Sequence, residues 1–416
     1  MAFGDSPVDA PLRQAWHDFC DRLKQAGDLV FKDYNPPTSL QRADGFRFLT
    51  QNLSQAFDLA LETRDTRFPA LHAFCAPDRK LGGDNADFVY LQAWIDGNSV
   101  YKISGRKGTA RFLNFTVQGP RPETDAYYGT NHRNLHEPFG DTPEANIFGH
   151  ELKTEWDGSF VLWIGGPKRE PNWLPTTPGS RKLFLRQGFD RWDEDSAEYR
   201  IERVDMEGPR PMPTHETILE AVQWAGNFLS GAMQDWPDHQ LNLGVDARAD
   251  LINAFPDTGS ATTGAPEERD VRRGRFVTTM RWQLAPDEAL IVEFQSYEGL
   301  WMFTNMGVFW NSMDYLYRNI SYTPSRATVD GDGRVRLVMT HEDPGYHNWL
   351  ETQGFGEGYL MYRNVLSRTR PPIHTRVVKV KDLASVLPAD SRKVTAEERR
   401  AQWKQRFDGI RRRYRI

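Results

Sequence analysis

Asp157-Gly158-Ser159-Phe160-Val161-Leu162-Trp163-Ile164 is followed by Asn172-Trp173-Leu174, Thr177-Pro178-Gly179 and Leu183-Phe184-Leu185-Arg186. The same chain carries a diluted second version. It runs Asp332-Gly333-Arg334-Val335-Arg336-Leu337-Val338-Met339, then Asn348-Trp349-Leu350, Thr352-Gln353-Gly354 and Tyr359-Leu360-Met361-Tyr362-Arg363. The spacing from the Asp to the Asn is 15 residues in one copy and 16 in the other, and from Asn to Arg it is 14 and 15. Matched spacing over this length marks one supersecondary unit used twice. Each copy reads as a strand opened by a tight Asp-Gly turn, a loop holding an Asn-Trp pair, a second turn and a strand ending in Arg. The Asn amide can bond loop backbone, and the Trp supplies an apolar plug with one N–H donor. More loosely, residues 91–105 and 292–307 share a strand, a polar turn, an aromatic strand and a Gly, extending the repeat upstream. The pattern predicts a mainly β chain with decorating helices (α+β), built from two duplicated β-sandwich or jelly-roll-like domains, with a cleft between the copies.

Working outward, residues 11–27 carry Leu12, Trp16, Phe19, Cys20 and Leu23 at helical steps, and residues 40–63 carry Phe46, Leu49, Leu53, Phe57 and Leu61. Strands are expected at 88–95, 100–104, 110–117, 158–165, 181–188 and 198–204, with a long loop over 118–146. Thr214 caps a helix over 215–233. A Gly/Thr/Ser-rich loop spans 257–266, and strands resume at 274–284, 289–296, 300–304, 334–340, 359–363 and 375–381. Thr395 and Glu398 form a capping box that opens a last helix over 395–416. The organisation is thus a helical segment (1–80), a first β-domain (81–208), a helical linker segment (209–270), a second β-domain (271–385) and a C-terminal basic helix (386–416).

The chain has 416 residues, a net charge of −5 and 12% aromatic residues. Without a basic excess, a chain-wide nucleic-acid binder is disfavoured. The residues from 395 onward carry eight Lys/Arg against three Asp/Glu, leaving −10 on the rest. This basic helix is expected to pack Trp403 and Phe407 on its own acidic body. The two cysteines, Cys20 and Cys75, exclude a disulfide scaffold and a thiolate metal cluster within one chain. No 18-residue apolar run and no basic-then-apolar start is present, so a cytoplasmic protein with no membrane span is expected.

The Asp157-Gly158-Ser159, Asn172-Trp173-Leu174-Pro175, Pro178-Gly179 and Arg186 series resembles a bacterial family known as domain of unknown function 1214. The resemblance covers about 100 residues around positions 90–205. The second copy is a looser version, with Glu351 where the first has Pro175. The resemblance implies a β-rich bacterial protein and brings no catalytic residue with it.

Several clusters could carry chemistry. His132 and His136 sit four apart, as a metal pair would on a helix, but no zincin Glu accompanies them, which favours solvated loop histidines. Asp330-Gly331-Asp332-Gly333 looks like the start of a calcium loop, yet position 12 is His341, which favours a hairpin turn. Residues 341–351 pack two His, three carboxylates beside Pro-Gly, and a Tyr into one rigid turn. Within it Asp343, His347 and Glu351 are the candidate acid–base set. Residues 301–317 form the most aromatic and Met-rich tract, which could line a hydrophobic pocket or simply fill a core. Trp301, Asn305, Trp310, Asn311, Asp314 and Tyr315 are its candidate binding residues, joined by Trp349 and by Arg363 as an anion anchor. No nucleophile elbow, P-loop or dinucleotide fingerprint occurs. The expectation is a cofactor-independent, metal-free enzyme acting on a hydrophobic small-molecule ligand (aromatic, terpenoid, steroid or acyl) by acid–base lyase, isomerase or hydrolase chemistry. The alternative is a non-enzymatic lipid- or glycan-binding β-sandwich. A homodimer is left open.

Overall fold

The computed structural model describes residues 6–7, 9–120, 141–235, 237, 251–255, 276–367 and 371–416. Two helices lead, α1 (Asp9–Asp28) and α2 (Ser39–Phe57), the latter capped by the Thr38 side chain. Nine strands follow: β1 (His72–Cys75), β2 (Phe88–Trp94), β3 (Tyr101–Arg106), β4 (Phe112–Gly119), β5 (Thr142–Phe148), β6 (Ser159–Ile164), β7 (Trp173–Leu174), β8 (Lys182–Gly188) and β9 (Glu198–Arg203). Helix α3 (His215–Ser230) intervenes. Then come β10 (Phe276–Gln283), β11 (Glu288–Gln295), β12 (Leu300–Met306), β13 (Ser321–Tyr322), β14 (Arg334–Thr340), β15 (Trp349–Glu351), β16 (Glu357–Val365) and β17 (His374–Lys379). The chain closes with the short α4 (Leu383–Val386) and the long α5 (Ala396–Tyr414). Among the described residues no helix is long and apolar enough to cross a membrane.

The strands form four sheets, ordered β1-β2-β8-β4-β5, β7-β6-β3-β9, β10-β16-β12-β13 and β15-β14-β11-β17. Set aside β1, and the first pair of sheets reproduces the second pair strand for strand. Each copy even keeps one short parallel pair, β6 with β7 and β14 with β15. Register repeats as well: Tyr90 lies opposite Arg186 as Val277 lies opposite Arg363. The fold is therefore a duplicated β-sandwich with added helices. The topology corrects the upstream part of the repeat. Residues 292–307 hold the end of β11 and all of β12, whereas the true counterparts of β2 and β3 are β10 and β11. An alternating strand looks much like its neighbour in sequence, so the frame slipped by one strand.

The Asn-Trp loops are peptide clips. Asn172 accepts from the Lys153 N–H at 2.8 Å and donates to the Lys153 carbonyl at 2.9 Å. Asn348 makes the same two bonds with Thr328, at 2.8 Å each. The Trp173 indole N–H donates to the Gly165 carbonyl, and that of Trp349 to the Thr340 carbonyl. Gly158 and Gly333, in the matched turns, share a φ of +80° that a side chain would strain. Both Asn side chains are buried. Replacing either with Ala strands peptide groups and is expected to cost about 1–3 kcal/mol in urea unfolding. An unchanged midpoint in both variants would reject the clip.

Each sandwich has its own core. Tyr101, Ile103, Phe115, Phe160, Leu162 and Leu185 fill the first, and Trp282, Val292, Trp301, Phe303, Leu337 and Tyr362 the second. The opposite faces of the β2-containing and β12-containing sheets then meet. Phe88, Tyr90, Phe112, Leu300, Met302 and Val365 share one cluster with residues of α1, α2 and α3. The result is four layers of sheet with helices on the central seam. All positions of β4 and β12 are buried, because those strands are covered on both faces.

Several expectations change here. The loop expected over 118–146 ends in β5, which pairs with β4. Its residues 121–140, with His132 and His136, lie outside the described residues, as does the loop at 257–266. Asp330 and Asp332 form a hairpin turn whose carboxylates both bind Arg336, at 2.6 Å each. Trp16 is half exposed, and α1 buries Ala15, Phe19 and Ala26 instead. Helix α5 has the capping box, but its buried face is Arg399, Arg406, Gly409, Ile410 and Arg413, while Trp403 is 38% exposed.

Candidate active site

After β12 the chain turns sharply. The Trp310 N–H donates to the Gly307 carbonyl at 3.1 Å, and Trp310 has a φ of +57°, which bulky residues rarely adopt. The turn is held from outside. Gly83 packs on the Trp310 ring, where an added Cβ would come within 2.8 Å, and its N–H donates to the Trp310 carbonyl at 2.8 Å. This docks residues 80–84 against residues 310–312 and brings three polar side chains together.

Ser312 stands in the middle. Its Oγ donates to Asp84 Oδ2 at 2.5 Å and its backbone N–H donates to Asp84 Oδ1 at 2.8 Å. Lys80 Nζ donates to the same Ser312 Oγ at 2.9 Å and lies 3.9 Å from Asp84 Oδ2. Lys80 also sits over the Tyr315 ring, 3.4 Å from its centroid, and its carbonyl accepts from Asn52. All three residues are at least 97% buried. Burial pushes the Lys80 ammonium down to about 8, against the pull of Asp84 and Asp314. Burial also raises the Asp84 carboxyl, against the Lys80 charge. The two shifts bring a proton donor and a proton acceptor toward each other around a hydroxyl.

The group forms one wall of a cavity of 270 Å³ between α2 and the loop after β12. Asp44, Arg47 and Gln51 come from α2, and Asn311, Asp314, Arg318 and Gln353 from the second sandwich. Asn311 donates to Asp44 Oδ2 at 3.3 Å, and burial raises the Asp44 carboxyl. Gln353 donates to the Asp314 carbonyl at 2.8 Å. Among the described residues no cluster of three His, Cys, Asp or Glu side chains could hold a metal ion.

The structure brings Asn311, Asp314 and Tyr315 to this site and disperses the other candidates. Trp310 supports the turn. Trp301 is buried in the sandwich core, because alternation along β12 turns it inward with Phe303. Asn305, fully buried, accepts from the Trp282 indole at 2.7 Å and donates to the Glu351 carbonyl at 3.0 Å. The aromatic tract is thus spent on core rather than on a pocket wall. Asp343 is held by Arg399 of α5, at 2.8 and 3.0 Å. Glu351 pairs with Arg318 at 2.5 Å, and burial raises its carboxyl. His347 bonds Asn348 Oδ1 and faces a different cavity, beside α5; burial lowers its imidazole. Asp343, His347 and Glu351 therefore do not act on one point, and His347 does not share a cavity with Asp314. Trp349 serves its clip. Arg363 faces the central seam, its guanidinium 5.3 Å from the Phe88 ring centroid. Lys80, Asp84 and Ser312 escaped the sequence reading. The one available signal was a polar Asn-Ser-Met-Asp run inside an aromatic tract.

No protein-family model and no curated protein matches the chain. Among solved structures, an uncharacterised protein from Burkholderia cenocepacia is 27% identical, with a TM-score of 0.78 over 90% of this chain and 100% of its own. The two-sandwich architecture thus recurs in that protein over nearly the whole length. The VPA0106 protein from Vibrio parahaemolyticus covers 86% of this chain and 100% of its own at 12% identity, with a TM-score of only 0.42.

Proposed function

We propose that this protein is a cofactor-independent hydrolase that transfers an acyl group through Ser312. The observation that carries the reading is the Lys80 amine 2.9 Å from the Ser312 hydroxyl, at the wall of a small cavity and shifted toward neutral pH. Ser312 Oγ attacks the carbonyl carbon of an ester or amide and passes its proton to neutral Lys80. Lys80 returns that proton to the departing alcohol or amine, and water then cleaves the acyl-enzyme by the same path. Asp84 holds Ser312 through its Oγ and its N–H. The walls favour a small polar substrate over the hydrophobic one expected from the aromatic tract, and Arg47 offers a cation for a substrate carboxylate. The protein would act in the cytoplasm, which suits its two free cysteines. Both halves would be diverged copies of the unit of domain of unknown function 1214, a reading that the shared clips support.

A second reading, a ligand-binding protein without turnover, is favoured by the 1% exposure of Ser312. Covalent labelling separates the two. A fluorophosphonate probe followed by peptide mass spectrometry is expected to place an adduct on Ser312. Hydrolysis of p-nitrophenyl succinate is expected to rise through about pH 8 as Lys80 loses its proton. No adduct and no hydrolysis between about pH 6 and 10 would leave the binding reading standing.

A further inference from the structure

Helix α5 buries arginines at seven-residue steps, Arg399, Arg406 and Arg413, each at most 3% exposed. The outer two meet carboxylates: Arg399 binds Asp343 at 2.8 Å, and Arg413 reaches Asp87 at 3.4 Å. The middle one does not. Arg406 donates only to neutral oxygens, Asn319 Oδ1 at 2.5 Å, the Ser321 carbonyl at 3.1 Å and Ser321 Oγ at 3.3 Å. A second guanidinium lies close by. Arg326 shares Asp87 with Arg413, at 2.5 Å through Nη2, and its buried Nη1 has no hydrogen-bond partner. The Trp192 ring touches all three cations, with centroid distances of 4.1 Å to Arg326, 4.8 Å to Arg406 and 4.7 Å to Arg413. Three cations therefore gather around Asp87, and buried Glu194 adds its attraction for Arg413, while Arg406 keeps no carboxylate partner of its own. The remaining acid on this wall, Asp193, is exposed and already pairs with Arg191 at 2.9 Å. Burial and the charge of Arg326 push Arg406 down to about 9.

Beside Arg406 opens a cavity of 440 Å³, walled by Arg191, Trp192, Tyr322, Arg326, His347 and Trp403. Its volume is in the range of small-molecule sites, roughly 300–1,000 Å³. An unmatched buried guanidinium is costly unless something supplies the counter-charge. We propose that this cavity binds the oxyanion end, phosphate or carboxylate, of a small molecule, with Arg406 and Arg326 as receiving cations and Trp192 and Trp403 flanking it. The site is separate from the Ser312 cavity, so it stands or falls independently of the hydrolase reading.

The test is calorimetric titration of the full chain with inorganic phosphate and, separately, with succinate, at constant ionic strength and with chloride as the control. Saturable binding of one equivalent is expected from at least one of them, and the stronger one identifies the head group. Gln405→Glu places a carboxylate at the exposed cavity wall. It is expected to weaken binding by about tenfold or more while the melting temperature holds or rises. Arg406→Met is expected to abolish binding. If neither anion binds beyond chloride, or if Gln405→Glu binds as tightly as the unmodified chain, the site is rejected.

Discussion

Asp87→Ala is expected to lower unfolding stability by about 3–5 kcal/mol, the largest loss from any single truncation in this fold. Asp87 is fully buried just ahead of β2, and its carboxylate meets Arg326 of the second sandwich and Arg413 of α5. Removing it takes from Arg326 and Arg413 the one carboxylate that both of them pair with. Leaving one partner of a buried pair unmatched costs far more than the pair ever contributed. Urea unfolding near neutral pH measures the effect. Asp87→Asn keeps the shape and loses the charge, so most of the loss should persist in it. A loss below about 1 kcal/mol in Asp87→Ala would mean that water already compensates these cations.

Ser312→Ala is expected to reduce ester turnover by about a thousandfold or more, and Lys80→Met by about 10²–10⁴-fold. The alanine variant also withdraws a donor from buried Asp84, so a stability loss of about 1–3 kcal/mol should accompany it. The melting curve separates that loss from the chemical one. Retention of a tenth of the rate in folded Ser312→Ala would remove Ser312 from the reaction. Lys80 also predicts a pH dependence of stability. Its folded value of about 8 lies below the ordinary 10.5, so the unfolded chain binds more protons between those limits. Stability owed to this group therefore rises with pH across about 8 to 10.5, and Lys80→Met should flatten that rise.

The sequence made the repeated scaffold legible and left the site mostly hidden. Strands such as β6, β8 and β14 are short apolar-rich runs that stand next to Asp-Gly or Pro-Gly turns, so local pattern alone places them. The two- and three-residue strands β7, β13 and β15 have no period to read, and β1 and β5 are edge strands paired on one side alone. The tract from Trp301 drew notice for the wrong reason. It is aromatic because β12 is covered on both faces, a property of four stacked layers that a single strand cannot announce. Asn311 and Asp314 were visible as polar residues in that tract. Lys80 and Asp84 lie more than 200 residues away, and only the docking of Gly83 on Trp310 carries them to Ser312. Helix α5 misled in the opposite direction. Its Trp403 and Phe407 are the residues expected to pack inward, yet the arginine spacing puts Arg399, Arg406 and Arg413 inward against oxygen acceptors drawn from both sandwiches.

The pairing of Asp87 with Arg413 has a temporal side. The two residues are 326 positions apart. At about 5–20 residues per second, roughly 15–65 s of synthesis separates their appearance at the ribosome. The first sandwich can complete its sheets in that interval, but the carboxylate beneath β2 meets Arg326 only when the second sandwich forms and Arg413 only when α5 arrives. Closure of the molecule is therefore a late event that follows the synthesis of both sandwiches and joins them at once. A nascent chain halted before α5 should leave Asp87 and the Trp192 ring uncovered on the side that Arg406 and Arg413 occupy, open to chaperones and proteases.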